Sequence, residues 1–261
     1  MNPWDDASSW EGDGVRREVF LFASGGDQLY GSMYASIEPR AAIRLVICTG
    51  WGHDFIQLNE LNHMIALGVA RLGGAALLVH PPGLGDSTGS LRTLTVQGHA
   101  AAARDAAAEA ARRTGLDGWG FVGVKLGAAA AALASADAGA DLLAMVDPVI
   151  DLPSHFEELR RRARRLALGR PGELTLFGHP LPEGAEADLP STSPAEALGR
   201  FAGRAGIIRW SQPAAKGLPE DIETVVVPGS FSTPPGPKEQ TTLSAAAVTW
   251  IGAPVTAGVG R

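Results

Sequence analysis

The sequence predicts a single domain with an α/β fold, in which helices cover both faces of a mostly parallel sheet. The chain has 261 residues, 45% of them hydrophobic, which is enough apolar material for one large core. Short continuous apolar runs end in glycine-rich loops, a pattern typical of buried parallel strands. These runs alternate with segments of helical periodicity, and repeated strand–helix–strand units place parallel strands side by side.

The predicted elements follow one another regularly along the chain. Residues 1–14 are predicted to be a flexible tail, and residues 15–261 to form the domain. The turn signal Gly25-Gly26-Asp27 joins two strand-like runs and predicts a β-hairpin. The predicted elements are strands at 17–24 and 28–36, a strand at 44–49, a helix at 58–72, a strand at 75–80, a helix at 95–114, a strand at 119–124, a helix at 126–136, strands at 142–146, 206–210 and 223–227, and a last helix at 241–251.

The alternation stops at residues 151–204, which we interpret as a helical lid inserted between two strands of the sheet. Ser154 and Glu157 have the spacing of a capping box, which predicts a helix that runs to about residue 168. A stretch rich in glycine and proline follows this helix.

The predicted lid helix carries candidate ligand-binding residues, Phe156 and Arg160. Arg160 belongs to a run of five arginines within residues 160–165. Such a run forms either a solvated helix face or a site where guanidinium groups bind an acidic ligand, carrier protein or peptide.

Charge and cysteine content exclude several classes of function. The net charge of −6 argues against a nucleic-acid-binding protein, which would carry a basic surface. No apolar run is long enough to span a membrane, and the acidic N-terminus does not resemble a secretory signal, so we expect a cytoplasmic protein. Cys48 is the only cysteine, which rules out an internal disulfide and a thiolate metal site. We expect no cofactor.

The most specific motif is GFVGVKLGAA at residues 120–129, where an apolar strand enters an alanine-rich helix through G-x-K-x-G. It resembles the nucleophile elbow G-x-S-x-G of the α/β-hydrolase superfamily, with lysine at the serine position. Residues 49–53 (TGWGH) are similar to the superfamily's oxyanion loop, and residues 80–89 (HPPGLGDSTG) to its D-x-P-G-x-G-x-S-x-G segment. The resemblance covers about residues 19–251 and implies the α/β-hydrolase fold.

The resemblance also implies a changed catalytic site. Members of the superfamily use a serine, an acid and a histidine that follows the last strand. This chain has Lys125 at the serine position and no histidine after His179; Ser230 lies where the late histidine is expected. Asp147 matches a position where some members carry the acid. We therefore expect no ordinary acyl-serine hydrolysis.

The backbone N–H groups of Trp51 and Leu126 would form an oxyanion hole if the superfamily geometry is retained. Such a hole stabilises an enolate as readily as a tetrahedral oxyanion. The resemblance is therefore compatible with chemistry that needs no nucleophile.

Two hypotheses describe Lys125. The helix N-terminus and the cleft both disfavour the ammonium form, so a neutral amine would act as a base or an imine-forming nucleophile. Alternatively, a protonated Lys125 is paired with Asp147 and fills an inactive pocket. Asp147 would then orient the lysine, or act as a base itself, or only begin the connection to the lid.

His53 and His80 each follow a predicted strand and are expected to face the same cleft. Each is a candidate general acid, base or hydrogen-bond donor, and the alternative is a hydrogen-bonded loop histidine. With Asp54 and Asp86 they lack the spacing of metal ligands, so we expect no metal.

Three functional hypotheses remain open on the sequence. The first is an atypical enzyme that binds a small organic or peptidic ligand under a lid and transfers protons, as an epimerase, cyclase or lyase. A few superfamily members of natural-product pathways, such as the bottromycin-type peptide epimerase, are similar in lacking the triad, which suggests secondary metabolism. The second is a non-catalytic ligand-binding or scaffolding protein. The third is a hydrolase that uses unconventional residues such as Ser87 or Ser230. A homodimer is compatible with all three.

Overall fold

The computed structural model describes residues 9–166, 174–189, 192–210, 218, 222–227 and 236–253. The strands in this part of the chain are β1 (Ser9–Gly12), β2 (Val15–Ser24), β3 (Asp27–Ser36), β4 (Arg44–Cys48), β5 (Ala75–Val79), β6 (Gly120–Val124), β7 (Leu142–Val146), β8 (Thr175–Leu176), β9 (His179–Pro180), β10 (Arg204–Trp210) and β11 (Glu223–Val227). The helices are α1 (His53–Gln57), α2 (Asn59–Arg71), α3 (Val96–Thr114), α4 (Gly127–Ala138), α5 (Leu152–Leu166), α6 (Glu183–Asp188), α7 (Pro194–Arg200) and α8 (Pro237–Gly252).

Nine strands form one sheet in the order β1-β2-β3-β5-β4-β6-β7-β10-β11. The strands from β1 to β5 along this order pair antiparallel, and those from β5 to β11 pair parallel. The predicted mostly parallel sheet with helices on both faces is confirmed. The carboxyl ends of β4, β6 and β7 lie side by side at one edge, which is where ligands bind in open parallel sheets.

Alternate residues of the strands face two separate cores. Val46 and Phe121 pack with α3 and α4 on one face, whereas Leu45 and Val122 pack with α2 and α8 on the other. A strand buried on both faces is apolar throughout, which is why β4 and β6 appear in the sequence as continuous hydrophobic runs.

The predicted tail at residues 1–14 is wrong over its second part. Ser9–Gly12 forms β1 and pairs antiparallel with β2, with Trp10 opposite Arg17. The strand is an edge strand with mostly exposed side chains, so it has no alternation of buried and exposed residues that a sequence pattern would reveal.

The segment from α5 to α7, residues 152–200, is called the insertion below. It lies between β7 and β10 in the sequence, although these two strands pair directly. The helix α5 packs on the β8–β9 hairpin through a small apolar cluster of Ala163, Leu176 and Leu181.

The predicted capping box at the start of the insertion is wrong in its position. Asp151, rather than Ser154, caps α5: its carboxylate accepts hydrogen bonds from the Ser154 backbone N–H at 3.1 Å and from the Ser154 hydroxyl at 2.7 Å. Asp and Ser are both good N-cap residues, so α5 begins three residues earlier than predicted.

None of the helices in the described ranges is long and apolar enough to cross a lipid bilayer.

Candidate active site

Lys125 and Asp147 come directly after the neighbouring parallel strands β6 and β7. Both have a left-handed backbone, with φ of 54° and 45° respectively. A left-handed lysine is strained, and such residues persist where the surrounding structure fixes them, often at functional sites. Lys125 N–H donates to the Val146 carbonyl at 3.0 Å, and Asp147 N–H to the Ile208 carbonyl at 2.8 Å.

The turn at Lys125 requires the two glycines of the G-x-K-x-G motif. A Cβ at Gly123 would overlap the backbone of Ala128, and a Cβ at Gly127 would overlap the carbonyl oxygen of Cys48. The strand β6 therefore passes into α4 through a turn in which the backbones are too close for any side chain at these two positions. The side chain that this turn presents is that of Lys125.

The Lys125 ammonium donates a hydrogen bond to the Asp147 carboxylate and forms an ion pair with it. The two side chains are 19% and 25% exposed, so water reaches the pair from one side. This contact corresponds to the second sequence hypothesis for Lys125, in which the lysine is protonated and paired.

A second carboxyl group, Asp54, lies beside the lysine. A Cβ at Gly50 would be 3.0 Å from Asp54 Cβ and 3.7 Å from Lys125 Cβ, so Gly50 is the spacer that lets these side chains approach. Burial raises the pKa of the Asp54 carboxyl, while Lys125 and then His53 oppose this effect.

Three histidines approach from separate elements: His53 from α1, His155 from α5 and His179 from β9. Burial lowers the pKa of His155 to about 4, and the charge of Lys125 adds to the effect. Burial also lowers the pKa of His179, with His53 adding to the shift. His155 and His179 are therefore neutral near pH 7.

Asp54 and these three histidines border a cavity of about 100 Å³ between the sheet edge and the insertion, whereas Lys125 and Asp147 are not among its lining residues. Trp51, His53 and Asp54 line it from the segment after β4, Leu126 lines it from the start of α4, and the β8–β9 hairpin closes one side. The helix α4 has no side-chain N-cap, so its first N–H groups are not satisfied by a capping side chain. The cavity thus combines a carboxyl group, histidines and a helix N-terminus at one sheet edge, and the charges of Lys125 and Asp147 act on its Asp54 carboxyl.

The remaining predicted site residues lie elsewhere. His80 packs between the rings of Tyr30 and Phe55, with centroid distances of 4.4 and 4.9 Å, and does not line this cavity. Phe156 is buried in the core, and Arg160 lies outside the cavity in an ion pair with Glu186. Ser230 lies outside the described residues.

Ser87, a candidate for unconventional hydrolysis, stabilises the loop that follows β5. Its hydroxyl donates to the His80 carbonyl at 2.6 Å and accepts from the Tyr30 N–H at 2.9 Å. These two bonds fix the loop to β3 and direct the hydroxyl to backbone groups.

The sequence reasoning missed His155, Arg162, His179 and the role of Asp54. His155, Leu159 and Arg162 have the spacing i, i+4, i+7, which places them on one face of α5. The sequence shows this periodicity, but it does not show which part of the molecule this face of α5 packs against. Within the described part of the chain, no group of three His, Cys, Asp or Glu side chains is arranged to hold a metal ion.

Trp51 also makes a buried hydrogen bond, which fixes its side chain at the cavity wall. Its indole N–H donates to Nδ1 of His99 on α3 at 2.8 Å. Burial lowers the pKa of His99 to about 3, so this histidine is neutral and accepts the hydrogen bond.

No family model matches the sequence, and no curated protein matches it either. Several solved structures are similar in fold. The esterase Est1E from Butyrivibrio proteoclasticus, solved with ferulic acid, has a TM-score of 0.65 at 15% identity, over 89% of this chain and 98% of that one. An α/β serine hydrolase homologue from Coxiella burnetii has a TM-score of 0.60 at 15% identity, over 89% and 96% of the two chains.

A third similar structure is XC6422 from Xanthomonas campestris, described as an α/β serine hydrolase without a lid. Its TM-score is 0.58 at 14% identity, over 97% of this chain and all of that one. The order of strands, the parallel register and these similarities lead to one conclusion: the protein has the α/β-hydrolase fold.

Proposed function

We propose that the protein is an enzyme that binds a small organic molecule between the sheet edge and the insertion, which serves as its lid, and transfers a proton next to a carbonyl group. The observation that carries the proposal is Lys125. In serine hydrolases of this fold the strand-to-helix turn presents the nucleophile, whereas here it presents an ammonium group in an ion pair with Asp147. An ammonium group is no nucleophile, but it stabilises negative charge on a nearby oxygen.

The proposed reaction needs a base, and Asp54 supplies it. A carboxyl with a raised pKa is better matched to proton transfer near neutral pH than an ordinary one. In this step the C–H bond next to the carbonyl breaks, the proton moves to an Asp54 oxygen, and the electron pair moves to the carbonyl oxygen. The ammonium of Lys125 and the N–H groups of Trp51 and Leu126 stabilise the resulting enolate, and return of the proton to carbon completes the cycle.

Asp147 and His53 have supporting roles in this proposal. Asp147 orients the lysine and balances its charge between turnovers. His53 follows Gly52 at the start of α1, directly before Asp54, and relays the proton between this carboxyl and water.

The test measures exchange of carbon-bound protons. The protein is incubated in D₂O with a set of 2-oxo and 3-oxo acids, and loss of the signal of protons next to the carbonyl is followed by ¹H NMR. We expect at least one compound to exchange, and the Lys125→Ala variant to be slower by about 10²- to 10³-fold, the usual contribution of one group that stabilises an oxyanion.

Lys238→Ala is the matched control, because Lys238 lies exposed at the start of α8, away from the cleft. It should exchange at the wild-type rate. Equal rates for Lys125→Ala and wild type would refute the role of the lysine. Labelling of a serine by a fluorophosphonate probe would instead support the unconventional hydrolase, and borohydride trapping of Lys125 with a carbonyl compound would show an imine mechanism.

A non-catalytic ligand-binding protein is the second candidate. The direct contact of Lys125 with Asp147 favours it, because the amine is already occupied by a partner. Saturable binding without proton exchange, serine labelling or imine trapping would identify this function.

A further inference from the structure

Arg162 differs from the other arginines of its run in the direction it faces. It lines the cavity together with His155 and Leu159. Arg160 pairs with Glu186, and Arg161 pairs with Glu158 at 2.6 Å.

Two further arginines, Arg164 and Arg165, line a separate groove on the outer side of α5 together with Arg160. Within the described residues, Arg162 is therefore the guanidinium that the run contributes to the cleft.

The Arg162 guanidinium has no carboxylate partner among the described residues. Its charge acts on the Asp54 carboxyl, yet the two groups form no ion pair. The carbon of the guanidinium lies 5.9 Å from the centroid of the Phe177 ring, which is an aromatic contact at long range. A guanidinium keeps its charge at any physiological pH, so the cleft holds a permanent cation whose hydrogen-bond donors are not used by a carboxylate of the described residues.

Phe177 is held over the cavity by a strained turn. Phe177 and Gly178 connect β8 to β9, and their φ values are 51° and 84°. Turns of this kind favour Asn, Asp or Gly at the first position, and a bulky aromatic residue there is an outlier. The Phe177 ring packs on the His53 ring, with centroids 4.2 Å apart and the two planes tilted by 32°. The turn therefore maintains an aromatic wall between the arginine and the start of α1.

The other charges of the cleft have partners or are weakened. Lys125 is paired with Asp147, and His155 is neutral near pH 7 because burial lowers its pKa to about 4. The Asp54 carboxyl is destabilised as an anion by burial. The walls next to Arg162 are apolar and include Leu159, Leu176 and Leu181. An anionic ligand would thus accept hydrogen bonds from the Arg162 guanidinium, whereas a cationic ligand would be repelled by it.

We propose that the ligand is a small carboxylate with an apolar body, and that Arg162 binds its carboxylate while the body lies against Phe177 and reaches toward Lys125. This inference deepens the proposed function and rests on it for the reaction at the far end of the ligand. A planar guanidinium matches a carboxylate with two parallel hydrogen bonds. The cavity of about 100 Å³ limits the enclosed part to a few heavy atoms, because a cavity of about 150 Å³ holds a benzene molecule.

The test compares a carboxylate with its neutral isostere. Binding of butyrate and of butyramide is measured by isothermal titration calorimetry, or by ligand-observed NMR if binding is weak. We expect butyrate to bind with a Kd on the order of 1 mM and butyramide about tenfold more weakly or worse, the difference that a charge-assisted hydrogen bond provides.

Arg162→Gln is expected to reduce butyrate affinity to the butyramide level and to leave butyramide binding unchanged. Arg162→Lys keeps the positive charge but loses the two parallel hydrogen-bond donors of the guanidinium, so it should retain part of the preference for butyrate over butyramide. Arg164→Gln is the matched control: it removes the same charge from the same helix, but Arg164 lines the outer groove. This control should bind both ligands as the wild type does.

Several outcomes overturn the inference. They are equal affinity for butyrate and butyramide, no measurable binding of butyrate, unchanged discrimination in Arg162→Gln, an equal loss in Arg164→Gln, or inorganic phosphate binding as tightly as butyrate. Near-ultraviolet circular dichroism verifies that each variant is folded.

Binding of butyrate is measured without turnover, so the two proposals fail separately. Butyrate discrimination by Arg162 without any proton exchange would refute the proposed function and leave the carboxylate site. Proton exchange that depends on Lys125 but not on Arg162, with no preference for carboxylates, would support the proposed function and refute the carboxylate site.

Discussion

The two sides of the cleft are built in different ways. On the sheet side, Lys125 and Asp147 are fixed by adjacent strands, by left-handed backbones and by glycines that admit no side chain. On the insertion side, His155 and Arg162 are carried by α5, which packs on the hairpin through a small apolar cluster and on the main core through Leu152 and Phe156. In the proposed function, the reacting groups therefore lie on the sheet edge, whereas the residue proposed to select the ligand lies on a helix of the insertion.

The largest expected effect tests the rigidity of the sheet side. A Cβ in Gly127→Ala would overlap the carbonyl oxygens of Cys48 and Thr49, which are backbone atoms and cannot move independently. We expect a loss of about 3 kcal/mol in the free energy of unfolding. Chemical denaturation measures it.

Gly199→Ala on α7 is the control on the insertion side, because a Cβ there meets nothing within 4 Å. It should be neutral or stabilise by about 0.5–1 kcal/mol, since alanine favours helix. Similar losses for both variants would contradict the contrast between the two sides.

A pH titration of stability tests the insertion side. The pKa of His155 is about 4 in the folded protein, against 6.5 ordinarily, so the unfolded chain binds the proton more readily. Stability is therefore complete above about pH 6.5 and falls toward pH 4, by about 1.4 kcal/mol per pH unit for each such histidine.

With decreasing pH, the free energy of unfolding of His155→Gln should fall less steeply than that of the wild type, by up to about 1.4 kcal/mol per pH unit. Between pH 7 and 8 the two proteins should show the same dependence on pH. Denaturant unfolding at a series of pH values provides the comparison. An unchanged acid slope in the variant would show that His155 is not buried by the packing of α5.

The smallest effect measures the strain at the elbow. Because Lys125 has a φ of 54°, Lys125→Gly should be more stable than Lys125→Ala by about 1 kcal/mol. At Lys238 in the first turn of α8 the order should be reversed, since alanine is the better helix former. Equal stabilities of the two Lys125 variants would mean that the left-handed backbone stores no strain.

The sheet side was largely predictable from the sequence. The apolar runs of β4 and β6 and the paired glycines around Lys125 have local causes, namely burial on both faces and close backbone approach. The helix α3 was predicted well for the same kind of reason. Its N-cap Thr95 accepts a hydrogen bond from Gly98 N–H, and Gly115 ends it with a left-handed φ of 68°.

The insertion side was predictable only in part. A run of arginines offers no contrast between polar and apolar faces, so the sequence did not distinguish Arg160, which lies outside the cavity, from Arg162, which lines it. The direction in which α5 faces depends on its contact with β8, where Ala163 packs with Leu176, a residue outside the helix. Tertiary contacts of this kind leave no local signal at the residues that they orient.

The direct pairing of β7 with β10 has a consequence for how such a molecule can change over time. Leu142 lies opposite Arg204 and Val146 opposite Ile208, so the register of the sheet does not depend on the residues in between. The loops that connect the helices of this segment can gain or lose residues at a free-energy cost that grows only slowly with length. A lineage can therefore change the loops beside the cleft while the strand register and the turn at Lys125 are inherited unaltered.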